Sequence, residues 1–147
     1  MARTAVRVAA SIVACLVAMT PLSGCATARS CASWIAFEDE ESRVAESDLV
    51  ADVVVLGRDG TEPMFGADAH AWVAEVRAVV AGDDGVRSGD VIRLVSTPDT
   101  CASGGLYAGG DPLDVEEEVR VYLRESDTSD VSWQTITPFD GVGPLDD

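Results

Sequence analysis

The chain has 147 residues with 26 acidic and 10 basic side chains, a formal charge of -16, and every one of its cations is Arg. So acidic a balance argues against nucleic acid as a partner, because phosphate binding draws on clustered cations. Hydrophobic residues make up 47% of the chain and aromatic ones 5%, which fits a folded domain whose core holds few large rings.

Arg3 and Arg7 give the chain a positive start, Val8 to Met19 is an almost unbroken apolar run, and Ser23-Gly24 places small residues before Cys25. These are the three parts of a secretion signal. The apolar run stops at Thr20-Pro21, short of the about 20 residues that a membrane span needs. Arg3 and Arg7 are not adjacent, which points to the general secretory route rather than twin-arginine export. Leu22-Ser23-Gly24-Cys25 resembles the lipobox of bacterial lipoproteins. The resemblance implies removal of residues 1–24 and a diacylglycerol, with palmitate-type acyl chains, on Cys25. The alternative is an ordinary cleaved signal with Cys25 as a structural cysteine. Two or more acyl chains anchor stably, since each buried methylene contributes about 0.8 kcal/mol. The expected location is the extracytoplasmic face of the cell membrane, with residues 25–30 as a lipidated tether. Ala26 to Ser30 reaches about 17 Å at most when extended. Losing Arg3 and Arg7 with residues 1–24 takes the formal charge from -16 to -18.

The mature part holds one domain, expected over 31–138, with an irregular tail at 139–147. Val44, Ala45, Leu49 and Val50 are spaced as one face of a short helix within Glu40 to Val50. Val53-Val54-Val55-Leu56 reads as a buried strand, stopped by Gly57 and a turn at Asp59-Gly60. Ala69 to Val80 alternates as the longest strand, with Trp72, Ala74, Val76, Ala78 and Val80 on one side. Gly82-Asp83-Asp84-Gly85 is turn chemistry, and Val91 to Val95 is a third strand. Pro98 to Pro112 reads as a long surface loop. Val119, Val121 and Leu123 alternate on a fourth strand, and Val131 to Thr137 around Trp133 gives a fifth.

Cys15 leaves with the signal and Cys25 goes to lipid, so Cys31 and Cys101 remain in a compartment where disulfides persist. A bridge between them is the economical assignment. The competing reading, two metal ligands, needs about two further donors, and the chain offers only His70 beyond its carboxylates. No metal and no cofactor is expected. The acidic runs Glu38 to Glu41 and Glu116 to Glu118 read as solvated surface, because no spaced Asp/Asn loop of the kind calcium uses is present.

Five short strands, one helix and a disulfide suggest a small, nearly closed β-barrel. In this setting Cys31-Ala32-Ser33-Trp34, Ala51 to Gly57, Val73 to Gly82, Gly89-Asp90-Val91 with Ser96-Thr97, Cys101, and Val119 to Leu123 follow one another in a telling order. That order resembles the netrin-like OB-fold family, which includes the tissue inhibitors of metalloproteinases. The resemblance implies a mainly β fold, a five-stranded OB-like barrel with one short helix. The chain departs from the family pattern at Ala81, where Lys is usual, and at Ala102, where Gly is usual. A free N-terminal Cys-x-Cys that chelates a protease zinc cannot be carried over, because Cys25 is lipid-modified in this reading and five residues separate it from Cys31.

No Gly-x-Ser-x-Gly, His-Glu-x-x-His, Gly-rich phosphate loop or Cys-x-x-Cys occurs, so no catalytic residue is assigned and an enzyme is not expected. His70, the sole histidine, reads as a structural or surface residue on its strand. Trp72 shares its side with small apolar residues and reads as core, whereas Trp133, between Ser132 and Gln134, is the candidate exposed binding aromatic. The function expected is that of a membrane-anchored interaction module for an unidentified extracytoplasmic protein. A protease inhibitor acting by surface occlusion is the alternative, and a hydrolase the remote one.

Overall fold

A computed structural model describes residues 31–82, 85–126 and 133–145. The secretion signal, Cys25 and the tether lie outside the described residues, as do Val131 and Ser132 of the expected fifth strand.

Helix α1, Glu40–Ala45, begins where the Asp39 carboxylate accepts from the Ser42 amide at 2.7 Å. The Ser42 side chain, together with this amide bond that caps an orphan helix donor, holds the Asp39 carboxyl below its ordinary value. The helix stops sooner than its apolar spacing predicts. Leu49 and Val50 open strand β1, Leu49–Met64, and are buried in pairing with Leu123 and Tyr122. Their apolarity serves a sheet, not a helix face.

β1 also runs straight through the turn expected at Asp59-Gly60. Register shifts between Val55 and Gly57 and between Arg58 and Thr61 absorb the irregularity, and Gly60 supplies a positive φ of 80°. Bulges of this kind bend and twist a strand without ending it. The reversal comes at Phe65-Gly66, with φ of 51° and 75° and Met64 opposite Ala67. Two positive φ values in a two-residue loop are what a type I′ hairpin requires. β2 follows over Ala67–Ala81, then β3 (Val91–Val95), β4 (Glu118–Glu125), β5 (Trp133–Thr135) and β6 (Val142–Gly143).

The fold is mainly β. β1 pairs with β2, β2 with β3, β3 in parallel with β5, β5 with β4, and β4 returns to β1, so five strands form a ring-like sheet. Inside it lies one core of Leu49, Ala51 and Val53 from β1, Trp72, Ala74 and Val76 from β2, Ile92 and Leu94, Val119, Val121 and Leu123, with Leu113 and Trp133. Trp133 is 6% exposed, which corrects its reading as a surface aromatic. Trp133 and Thr135 face inward while Gln134 is only partly buried, so the polar neighbours of Trp133 mark alternation, not exposure.

A second cluster, Val50, Tyr122 and Ile136, sits on the outer face under Phe37 and Val44. Arg120 fixes α1 there, reaching Asp52 and Glu40 at 2.8 Å each, while Arg43 lies 4.6 Å over the Tyr122 ring. The segment before α1 is tied down at Cys31, whose Cα lies 4.9 Å from that of Cys101, disulfide distance.

The irregular tail expected after Pro138 contains β6, which pairs with Arg120 and Val121. Gly141 is part of this packing: its carbonyl accepts from the Tyr122 amide at 3.0 Å. A Cβ at Gly141 would collide with the Thr135 side chain and lie 2.8 Å from the Thr137 carbonyl oxygen. Gly141→Ala is therefore expected to lower stability by about 1–3 kcal/mol through overpacking. Urea unfolding measures it, and an unchanged midpoint would contradict this packing.

Candidate functional site

β1 and β4 stay paired from Leu49–Leu123 to Val54–Glu118 and then part. Beyond that point β1 continues with β2 alone, and the long connection between β3 and β4 folds across the gap. The result is a cleft of about 750 Å3 at the mouth of the ring, walled by Gly57 and Arg58, floored by His70 and Trp72, and closed on the far side by Gly105 to Tyr107, Asp111 and Asp114.

The alternation of β2 explains why His70 is there. Trp72, Ala74 and Val76 point into the core, and His70 is the next residue outward on the same side. Its Nδ1 lies 2.6 Å from Oδ2 of Asp111, whose side chain is only 5% exposed against 24% for His70. The same oxygen accepts from Trp72 Nε1 at 3.1 Å, and Oδ1 accepts from the Leu113 amide at 3.0 Å. A buried carboxylate needs such partners to offset its lost hydration. An ionised carboxylate can only accept, so Nδ1 carries the proton and the ring is held in one orientation. Nε2 has no hydrogen-bond partner among the described residues. In the neutral ring it is an acceptor, and in the imidazolium a donor.

Tyr107 packs against the imidazole, with ring centroids 4.4 Å apart at 37°. Its hydroxyl accepts from the His70 amide at 3.0 Å and donates to the Ser96 carbonyl at 2.6 Å, joining the loop to β2 and β3. Burial pushes the Tyr107 phenol up to about 12, and the Asp111 charge adds to that rise. Burial and its hydrogen bond to Glu40 raise the Tyr122 phenol as well.

These are the two tyrosines of the chain. A raised folded-state value means that stability is complete below the unfolded-state value of about 10 and declines as pH rises through the folded one. Stability is thus expected to fall between pH of about 10 and about 12, with tyrosinate absorbance appearing only above the ordinary range. Tyrosine ionisation at about pH 10 in the folded protein would contradict the buried setting.

Of the residues singled out in the sequence, the structure gathers His70 and Trp72 in this cleft, and it brings Cys101 of the same loop to disulfide distance from Cys31 of the segment before α1. Trp34 stands apart from the cleft, edge-on to Phe65 at 5.5 Å. Asp111 and Arg58 were not legible as site residues. Asp111 lies 41 positions from its His70 partner, and nothing local marks it beyond its place before Pro112 in a Gly-rich loop. Among the described residues, no group of three or more His, Cys, Asp or Glu could hold a metal ion, and no helix is long and apolar enough to cross a membrane. No protein-family model, no curated protein and no solved structure matches the chain.

Proposed function

We propose that the chain is a lipid-anchored binding domain on the outer side of a bacterial cytoplasmic membrane, built on an OB-like barrel, and that it holds an extracytoplasmic protein partner at the mouth of the ring. The observation that carries this reading is Arg58. Arg77, Arg93, Arg120 and Arg124 each have a carboxylate partner, whereas Arg43, Arg58 and Arg87 have no ion pair among the described residues, and of these three Arg58 is the one that lines the cleft, where it is exposed. In so acidic a chain an unpaired guanidinium beside an oriented imidazole suits a contact supplied from outside. The lipobox supports the location. Strand order β1-β2-β3-β5-β4 with return to β1 supports the OB-like reading, because an OB-fold is a five-stranded, partly open Greek-key barrel.

Crosslinking on intact cells tests the proposal. A recurrent partner lost with Arg58→Glu is expected, and recovery of none under several growth conditions would overturn it. Cys25→Ala should move the protein from membrane to medium or block its processing, and unchanged membrane retention would defeat the anchor.

A hydrolase reading draws on one specific observation, the His70–Asp111 pair, which has the geometry of a base and its orienting carboxylate. No Ser, Thr or Cys side chain among the described residues hydrogen-bonds the imidazole, which favours binding over acyl transfer. Ester hydrolysis by the wild-type protein that His70→Ala abolishes would reverse that order.

A further inference from the structure

We infer that the mouth cleft is a seat for a monocarboxylate carried on an apolar body, with the carboxylate held between the Arg58 guanidinium and Nε2 of His70. The inference rests on the binding-domain reading above and names the chemistry that this site recognises. Either a small organic acid or the carboxyl terminus of a partner chain carries that chemistry.

Three features lead to it. Arg58 stands opposite Trp72 in the β1–β2 register, and both line the cleft with His70. Tyr107, whose ring lies 4.4 Å from the imidazole, lines the same cleft, so guanidinium and imidazole border one space. A guanidinium presents a planar fork of N–H donors that a carboxylate matches with two parallel hydrogen bonds.

The second feature is the fixed imidazole. Asp111 holds Nδ1, which leaves Nε2 as the ring's open position. When the ring takes a second proton, Nε2 becomes a donor and adds a positive charge beside Arg58. The charged and titratable groups around it are Arg58 from β1 and Tyr107, Asp111 and Asp114 from the loop. Carboxylate binding and imidazole protonation therefore favour one another, by linkage.

The third is what the walls disfavour. Asp111 and Asp114 also line the cleft, in a chain of formal charge -16, so a dianion meets more repulsion than a monoanion does. Leu106 and Tyr107, both half-buried, offer apolar surface to whatever carries the charge. An inorganic phosphate has no apolar body to place there.

The test uses the single histidine as its reporter. Its imidazole resonances are unique in the chain, so titration of the full-length protein in detergent can be read at His70 directly. The probes are N-acetyl-leucine, as a mimic of a chain terminus, N-acetyl-leucinamide, benzoate as a small acid, and inorganic phosphate. N-acetyl-leucine or benzoate should shift the imidazole signals saturably, raise the pH at which the ring titrates, and bind more tightly at pH of about 5.5 than at about 7.5.

The amide and phosphate should bind at least about tenfold more weakly, and Arg58→Gln should weaken carboxylate binding by a similar factor. A circular dichroism spectrum and a urea midpoint matching wild type show that the variant is folded. Tighter binding of N-acetyl-leucine than of benzoate assigns the source to a chain terminus, and the reverse order to a small acid. Equal binding of acid and amide, no imidazole shift, or an Arg58→Gln variant that binds as wild type each overturns the inference. If crosslinking recovers a partner while no carboxylate moves the imidazole, the binding-domain reading stands and this one falls. If N-acetyl-leucine binds and no partner is recovered, the outcome is the opposite.

Discussion

Replacing Cys31 and Cys101 by Ser is expected to lower stability by about 4 kcal/mol, since a bridge across a separation of 70 residues removes a large loop-closure entropy from the unfolded chain. For a domain of this size that is a fall of about 15 °C in Tm. The native contacts explain why little replaces the staple. Before α1 the segment is held by the Ala32 amide on Thr100 Oγ1 and the Phe37 amide on Asp140 Oδ2, both at 3.3 Å, and by the edge contact of Trp34 with Phe65. These bonds are long and partly exposed, each contributing about 1 kcal/mol at most. Thermal unfolding with and without reductant gives the measurement. A difference under about 1 kcal/mol would show that the bridge adds little. Two freely alkylating thiols in unreduced protein would show that it does not form.

The same staple fixes the loop that walls the cleft. Cys101 lies in the connection that also carries Tyr107 and Asp111, so the covalent tie acts on the site as well as on the N-terminal segment. Reduction should therefore broaden or shift the His70 imidazole signals before the ring of strands unfolds. Tyr107 and Asp111 also hold the loop to β2 through His70 and Trp72, and Leu113 anchors it in the core.

How far the sequence carries this picture differs by element, for physical reasons. β2, β3 and β4 were legible because their inward residues recur with a period of two, as Val119, Val121 and Leu123 do, even though Ala69 and Ala71 of β2 and Tyr122 of β4 are buried on the other side as well. The length of β1 was not. Its glycines carry the turn signal, yet pairing with β2 continues through them, and tertiary hydrogen bonding outweighed local preference. The true reversal at Phe65-Gly66 hides behind an aromatic residue in a left-handed conformation, which sequence rules disfavour. β6 is too short for any periodicity to show. At the site, His70 stood out by being the single histidine, but its role is set by Asp111 across 41 positions, a contact that only the folded ring creates.

Leu123→Ala is expected to cost about 3–4 kcal/mol, within the range for deleting most of a fully buried leucine side chain and leaving a cavity. Leu123 is 0% exposed, pairs with Leu49 on one side and Thr135 on the other, and its carbonyl accepts from the Asp48 amide at 2.8 Å. It thus stands where β4 meets both β1 and β5, the seam that makes a ring of the sheet. Val91→Ala provides the contrast, since Val91 is 60% exposed and should change stability by about 0.5 kcal/mol or less. Urea unfolding of the two variants decides the point, provided that the slope is unchanged so that the midpoint shift reports stability. In an open sheet with β4 apart from β1, Leu123 would lose the Leu49 side of its packing and the variants would differ little. A loss under about 1 kcal/mol for Leu123→Ala would therefore speak against closure. It would also remove the basis for the cleft, which exists only because β1 and β4 meet along one part of their length and separate along the next.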